Sequence, residues 1–149
     1  MIFRQAVGLT AVALTGAVAF SRGGRPERLG ASIVAAGWLL TPLVEQRESW
    51  FRPQFGIMAV DAVILAAFAA MTFRYRRNWL ILATAFQAVA IAAHLVFLMN
   101  PHAFYRAYFI VTFAIGYLIL GSIFGGVFIE GRASYPAPSP RAPPPAARR

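Results

Sequence analysis

An all-α integral membrane bundle of five transmembrane helices is what this sequence predicts, and three observations predict it. First, 59% of the 149 residues are hydrophobic and only 13% are charged, a balance too apolar for a soluble domain. Second, several windows run for about 20 residues almost without charge, the length needed to cross a hydrocarbon core. Third, the arginines gather in alternate loops, which is how charge distributes across a membrane. There is no cysteine, so disulfide, iron–sulfur and cysteine–zinc chemistry are excluded. All 14 basic residues are arginine and the formal net charge is +9. In a soluble chain that charge would point to nucleic acid. Here, loops and a tail lying against anionic lipid headgroups account for it, and no nucleic acid is expected as a partner.

The first span is expected over about 5–20. Ala17-Val18-Ala19 offers an A-x-A cleavage pattern after a short apolar region. Cleavage there would leave Arg22, Arg25 and Arg28 on the translocated side, so a retained span is the better reading. Ala11, Thr15 and Ala19 form a small-residue ladder that lets a neighbouring helix approach. The loop SRGGRPERLG breaks the chain at Gly23-Gly24 and Pro26. A second, short span follows over 29–44, with Thr41-Pro42 expected to bend or end it and Trp38 inside it as packing or lipid contact.

The loop EQRESWFRPQ is neutral, and its Trp50-Phe51 pair suits an interfacial belt. The third span, 55–73, carries Asp61 and the ladder Ala62, Ala66 and Ala70. The turn RYRRN places Arg74, Arg76 and Arg77 together, flanked by Tyr75 and Trp79 as interface anchors. The fourth span, 79–99, ends at Asn100-Pro101. The fifth, 107–129, contains Gly121-x-x-x-Gly125, a spacing that clears one helix face for tight helix packing. Residues 1–131 thus form one transmembrane domain. The Pro-, Ala-, Ser- and Arg-rich stretch 132–149 cannot bury a core and is expected to be a disordered cytoplasmic tail.

Orientation follows from the arginines. One side collects ten (Arg22, Arg25, Arg28, Arg74, Arg76, Arg77, Arg132, Arg141, Arg148 and Arg149) and the other four (Arg4, Arg47, Arg52 and Arg106). Positive charge stays cytoplasmic, so the expected topology is N-out and C-in. The clusters Arg22/Arg25/Arg28 and Arg74/Arg76/Arg77 would then face anionic headgroups.

The polar residues inside the spans point to the site. An intramembrane carboxylate costs about 2.5–3.5 kcal/mol at the helix centre on insertion scales and calls for a partner or a role. Counted from the turn at Arg76, Asp61 and His94 differ in depth by only about 4–5 Å at 1.5 Å per residue, within side-chain reach. Gln87 lies on the same helix face as His94, and Tyr117 sits near mid-depth on the fifth span. Asp61, His94, Gln87 and Tyr117 are therefore expected to form an intramembrane polar cluster. The sequence leaves open whether it clamps the helices or moves a proton or solute.

Ala90-Ile91-Ala92-Ala93-His94-Leu95 resembles the A-x-x-x-H pattern of antenna polypeptides, whose histidine ligates bacteriochlorophyll. That resemblance implies pigment or haem binding through His94 as a lesser alternative. His102 lies at the membrane boundary and cannot serve as a second axial ligand opposite it, so no cofactor or metal is expected. Soluble-type catalysis has no G-x-S-x-G, H-E-x-x-H or phosphate loop to build on, so the chain is not expected to be an enzyme.

The run from Asp61 through RRNW and FQAVAIAAH to Ala107-Tyr108 and Gly116-Tyr117-Leu118 resembles small uncharacterised polytopic membrane proteins of alphaproteobacteria. The likeness covers the three C-terminal spans best. It implies an inner-membrane, multi-pass bundle and brings no activity. The expectation is an accessory or structural protein held by small-residue packing and an Asp–His clamp, alone or within a homo-oligomer or larger membrane complex. The alternative is a small proton-linked transporter or channel using Asp61 and His94.

Overall fold

The computed structural model describes residues 2–45 and 52–130. The expected tail over 132–149 and the Trp50-Phe51 pair lie outside the described residues. Within them the chain forms five α-helices and no strand: α1 (Ile2–Arg22), α2 (Arg25–Val44), α3 (Phe55–Tyr75), α4 (Asn78–Met99) and α5 (Pro101–Ile129). Three of them, α3, α4 and α5, are long and apolar enough to cross a membrane. The apolar part of α1 is the shorter stretch Ala6–Arg22. The first turn of α2 carries Arg25, Glu27 and Arg28, which lowers its apolarity.

The turns show why the helices stop where they do. Gly23-Gly24 separates α1 from α2, and the Gly23 N–H still reaches the Ala19 carbonyl at 2.9 Å. The charged stretch expected to be loop is helix: Pro26 sits in the first turn of α2, where its missing N–H costs nothing. Pro42 does not end α2, which runs on to Val44. Arg76 closes α3 in the left-handed conformation, φ 50°, and its N–H caps the Thr72 carbonyl at 3.0 Å. A single residue, Asn100, joins α4 to α5. Its side chain accepts the Ala103 N–H at 3.1 Å, and Pro101 follows as the first helical residue. This capped start carries α5 back from the expected 107 to 101. Its 29 residues span about 43 Å at 1.5 Å each, more than the hydrocarbon thickness of about 30 Å.

Neighbours in sequence are neighbours in space. Helix α4 packs between α3 and α5, α2 touches α3 and α5, and α1 lies in the groove between α2 and α5. Helices α2, α3, α4 and α5 therefore form a four-membered ring with α1 outside it. The turns at 23–24 and 76–77 and the C-terminus of α5 share one end, which we call the arginine end. There Arg77 donates to the Glu130 carbonyl and the Asn78 N–H reaches Glu130 Oε2 at 3.2 Å. Arg22, Arg25, Arg28, Arg74 and Arg76 are exposed, while Arg77 is half-buried by its Glu130 contact. Arg22 also lies over the Phe128 ring, 5.9 Å from its centroid.

The apolar core lies toward this end. Ala19, Phe68, Leu80, Ala83 and Ile123 are fully buried. Large apolar side chains such as Leu43, Val63, Phe73 and Ile110 point outward, a surface suited to lipid. Thr72 and Thr84 meet across α3 and α4 at 2.9 Å while each also bonds its own helix.

The packing glycine differs from expectation. A methyl group added at Gly121 or Gly125 would meet nothing within 4 Å, whereas one at Gly126 would collide with the Trp79 ring. The four-residue spacing aligns Gly121 and Gly125 on one face, but α5 turns the adjacent face inward. Gly30 approaches the same indole from α2, where an added methyl would lie 2.7 Å from Trp79 Cη2. Gly126→Ala should therefore destabilise the bundle by about 1–3 kcal/mol through overpacking. Gly125→Ala should be neutral or stabilise by up to about 1 kcal/mol, because alanine favours helix. Equal unfolding midpoints for the two variants in detergent would refute this assignment of faces.

Candidate functional site

Asp61 projects from the second turn of α3 toward α4. Its Oδ2 lies 2.9 Å from His94 Nε2, and its Oδ1 accepts from Gln87 Nε2 at 2.9 Å. Gln87 Nε2 also reaches the Asp61 main-chain carbonyl at 3.2 Å. Gln87 and His94 are seven residues apart on α4 and share one helix face. On the far side of the imidazole, the Tyr108 hydroxyl of α5 lies 3.3 Å from His94 Nδ1. The donors run consistently if Tyr108 O–H donates to Nδ1 and Nε2–H donates to Asp61. The Tyr108 ring is stacked on Phe97, centroids 4.6 Å apart, and stands edge-on to His94 at 5.1 Å. No buried side-chain nitrogen or oxygen among the described residues lacks a hydrogen-bond partner.

Three of the four expected residues are thus together, and Tyr117 is not among them. It is partly exposed and packs edge-on against Trp38, 6.2 Å between centroids. The reason is depth. From the one-residue link at Asn100, His94 is six residues back and Tyr108 eight forward, a mismatch of about 3 Å at 1.5 Å per residue. Tyr117 lies about 13 Å deeper than Tyr108 on the same rise. The Asn-Pro pair, a helix-start signal, is the feature that would have selected Tyr108.

The two members of the acid–imidazole pair differ in surroundings. His94 is 3% exposed, whereas the Asp61 side chain is 22% exposed. Asp61 faces a half-open pocket of about 230 Å³ lined by α2, α3, α4 and α5. The cavity extends from Val34 and Ile119, midway along their helices, to Glu45 at the C-terminal cap of α2. Among the described residues, its polar lining comes from Asp61, Gln87, Tyr108, Thr41, Thr112 and Glu45. Trp38 forms part of its apolar wall and is packed against the backbone of Gly8 on α1. Each Asp61 oxygen uses one acceptor position within the cluster, which leaves further lone pairs on the carboxylate. His94 has both ring nitrogens engaged, so axial ligation of a haem or pigment would require one of these bonds to be given up.

A second carboxylate, fully buried, is not evident in the sequence pattern. Glu27 is fully buried at the arginine end, where Oε1 accepts from Trp79 Nε1 at 3.0 Å and Oε2 from the Gly24 N–H at 2.8 Å. Trp79, expected at the interface, is itself 3% exposed. The Pro26-Glu27 pair, with proline in the first turn and an acid at the third helical position, is the signal for this arrangement. Glu27 is far along the bundle from Asp61 and joins α2 to α4. Comparison with known proteins finds no matching family model, no similar curated protein and no similar solved structure.

Proposed function

We propose that the chain is a multi-pass protein of a bacterial inner membrane, crossing it five times with the N-terminus outside and the C-terminus inside. In this reading it binds a small solute beside Asp61, as a small proton-linked transporter would. The observation that carries the reading is the position of Asp61 on a cavity wall with lone pairs to spare, rather than sealed in packing. Intramembrane ionisable groups that face a cavity commonly mark solute or proton paths. His94 behind the carboxylate links it to Tyr108 on α5, so that the site joins three helices. The arginine end would lie against anionic headgroups on the cytoplasmic side.

A second reading, an accessory protein in which Asp61 and His94 only clamp α3 to α4, draws on the burial of His94 and the completeness of its hydrogen bonding. Cysteine accessibility separates the two, since the natural chain has no cysteine. In spheroplasts, Thr112→Cys should react with a membrane-impermeant maleimide added outside. Arg76→Cys should react only after permeabilisation. Thr84→Cys, between α3 and α4, should stay unlabelled. A folded but unreactive Thr112→Cys would favour the clamp, and labelling of Arg76→Cys in sealed spheroplasts would reverse the orientation.

A further inference from the structure

We infer that the pocket at Asp61 takes a small hydrogen-bond donor, a hydroxyl or amide N–H group carried on an apolar body of about one ring. The inference rests on the solute-binding reading above and adds the chemistry of the ligand's polar group.

Donors and acceptors on the pocket wall are unevenly used. Asp61, Gln87, Tyr108, Thr112 and Thr41 all line it. Gln87 spends its amide nitrogen on Asp61, at 2.9 Å to Oδ1 and 3.2 Å to the main-chain carbonyl. The hydroxyls of Thr112 and Thr41 each donate to their own helix, to the Tyr108 and Gly37 carbonyls at 2.8 Å. Tyr108 gives its hydroxyl proton to His94 Nδ1, and His94 Nε2 meets Asp61 Oδ2. With a longer contact from Thr112 to the Phe109 carbonyl, these are all the hydrogen bonds of the five side chains. Every donor among them is committed. What they still offer the pocket are acceptor positions, on both Asp61 oxygens and on the hydroxyls.

Gln87 Oε1 points the same way. The residue is 3% exposed, yet this oxygen receives no hydrogen bond. Buried polar atoms are paired as a rule, and no buried side-chain oxygen among the described residues lacks a partner. Gln87 Oε1 therefore borders the pocket that Gln87 lines, as an acceptor beside the Asp61 carboxylate. On the facing helix Pro42, also in the wall, has no N–H to give the Trp38 carbonyl one turn back. A ligand group that only accepts, such as a ketone or ether, would set lone pairs against lone pairs here. A hydroxyl or N–H group completes the bonding, and a site of buried acceptors discriminates strongly against an analogue that lacks the donor.

The rest of the wall sets the body. Trp38, Phe109, Phe113, Ile57 and Ile64 offer apolar area to a hydrocarbon or aromatic group. At about 230 Å³, the pocket is smaller than the roughly 300–1,000 Å³ typical of sites for drug-sized ligands. It suits a single ring or a short branched chain.

The test uses two uncharged probes on one skeleton, 1-phenylethanol as donor and acetophenone as acceptor only. They are titrated calorimetrically against the full-length protein in lipid nanodiscs, with empty nanodiscs as the blank. The alcohol should bind saturably and at least about fivefold more tightly than the ketone. Asp61→Asn replaces one acceptor oxygen by an NH2, which keeps an N–H for the pocket after donating to His94, so the preference should fall below about twofold, about half the usual net value of a hydrogen bond. Thr112→Phe, which fills the pocket, should abolish saturable binding of both probes while the helical circular dichroism signal persists. Equal affinities or a ketone preference in the natural protein, where no variant need fold, would overturn the donor inference and leave the pocket reading standing. An unchanged preference in Asp61→Asn would also overturn the donor inference alone. Saturable binding that survives Thr112→Phe, or none by either probe, would overturn both.

Discussion

Trp79→Ala is expected to destabilise the bundle by about 3–5 kcal/mol, the range for removing a buried aromatic side chain. The indole is held on two sides by Gly30 and Gly126, neither of which has a side chain that could move into the space. A cavity would remain, and in lipid the loss of close packing is felt directly because packing rather than water exclusion holds helices together. The substitution also strips Glu27 Oε1 of its donor. Trp79→Phe separates the two effects. It keeps most of the ring and removes only the N–H, so it should cost about 1–3 kcal/mol for a buried acceptor left without a partner. Unfolding in SDS–detergent mixtures, followed by circular dichroism, should rank the alanine variant well below the phenylalanine variant, and both below the natural protein. A Trp79→Ala midpoint within about 0.5 kcal/mol of the natural protein, the range of ordinary surface changes, would mean that the arginine end is held by something else.

Asp61→Ala and Asp61→Asn should diverge. Alanine removes the side-chain acceptor of both Gln87 and His94, each only 3% exposed. About 2–4 kcal/mol is expected from two such losses, since each unsatisfied group costs about 1–3 kcal/mol and Gln87 retains the Asp61 main-chain carbonyl. Asparagine keeps an acceptor for Gln87, and its NH2 can donate to His94 Nε2 if the imidazole carries its proton on Nδ1 and donates that to Tyr108. The cost should then stay below about 1 kcal/mol, the usual net value of one hydrogen bond. Any proton-linked flux should nonetheless disappear, because the amide does not titrate. The same unfolding assay, run beside growth or flux measurements, reads both outcomes. An asparagine variant that folds and retains full flux would remove Asp61 from any transport role.

The helical class and the approximate helix positions were legible because charge-free runs of membrane length have few other interpretations. Asp61 and His94 were legible as neighbours because a two-residue turn ties their depths together, and depth is simple arithmetic on a helix. Tyr108 was not, because the charge-free run on α5 begins only at 107, after Arg106. The single-residue link at Asn100 makes that helix begin at 101, which shifts the whole depth count on α5. Glu27 was hidden for a related reason: a stretch rich in Arg, Gly and Pro looks like solvated loop until Pro26 is recognised as a helix start. The choice among Gly121, Gly125 and Gly126 depends on the rotation of α5 about its own axis. Small-residue spacing finds a clear face but does not say whether that face points at Trp79 or at lipid. The cavity is lined by residues from four helices, and no local pattern encodes how those helices come together.

The double attachment of Gln87 has a consequence for any ligand that meets Asp61. One amide nitrogen holds both the carboxylate and the main-chain carbonyl of the same residue, while His94 holds the other carboxylate oxygen. The carboxylate is therefore tied to its own backbone through a neighbouring helix and has little rotameric freedom left to lose. Ordering a free side chain on binding would cost about 0.5–1.5 kcal/mol, and here most of that ordering was completed when the protein folded. Gln87→Leu should thus leave the charge in place yet return its mobility, so that an arriving ligand would meet a group that must first be aimed.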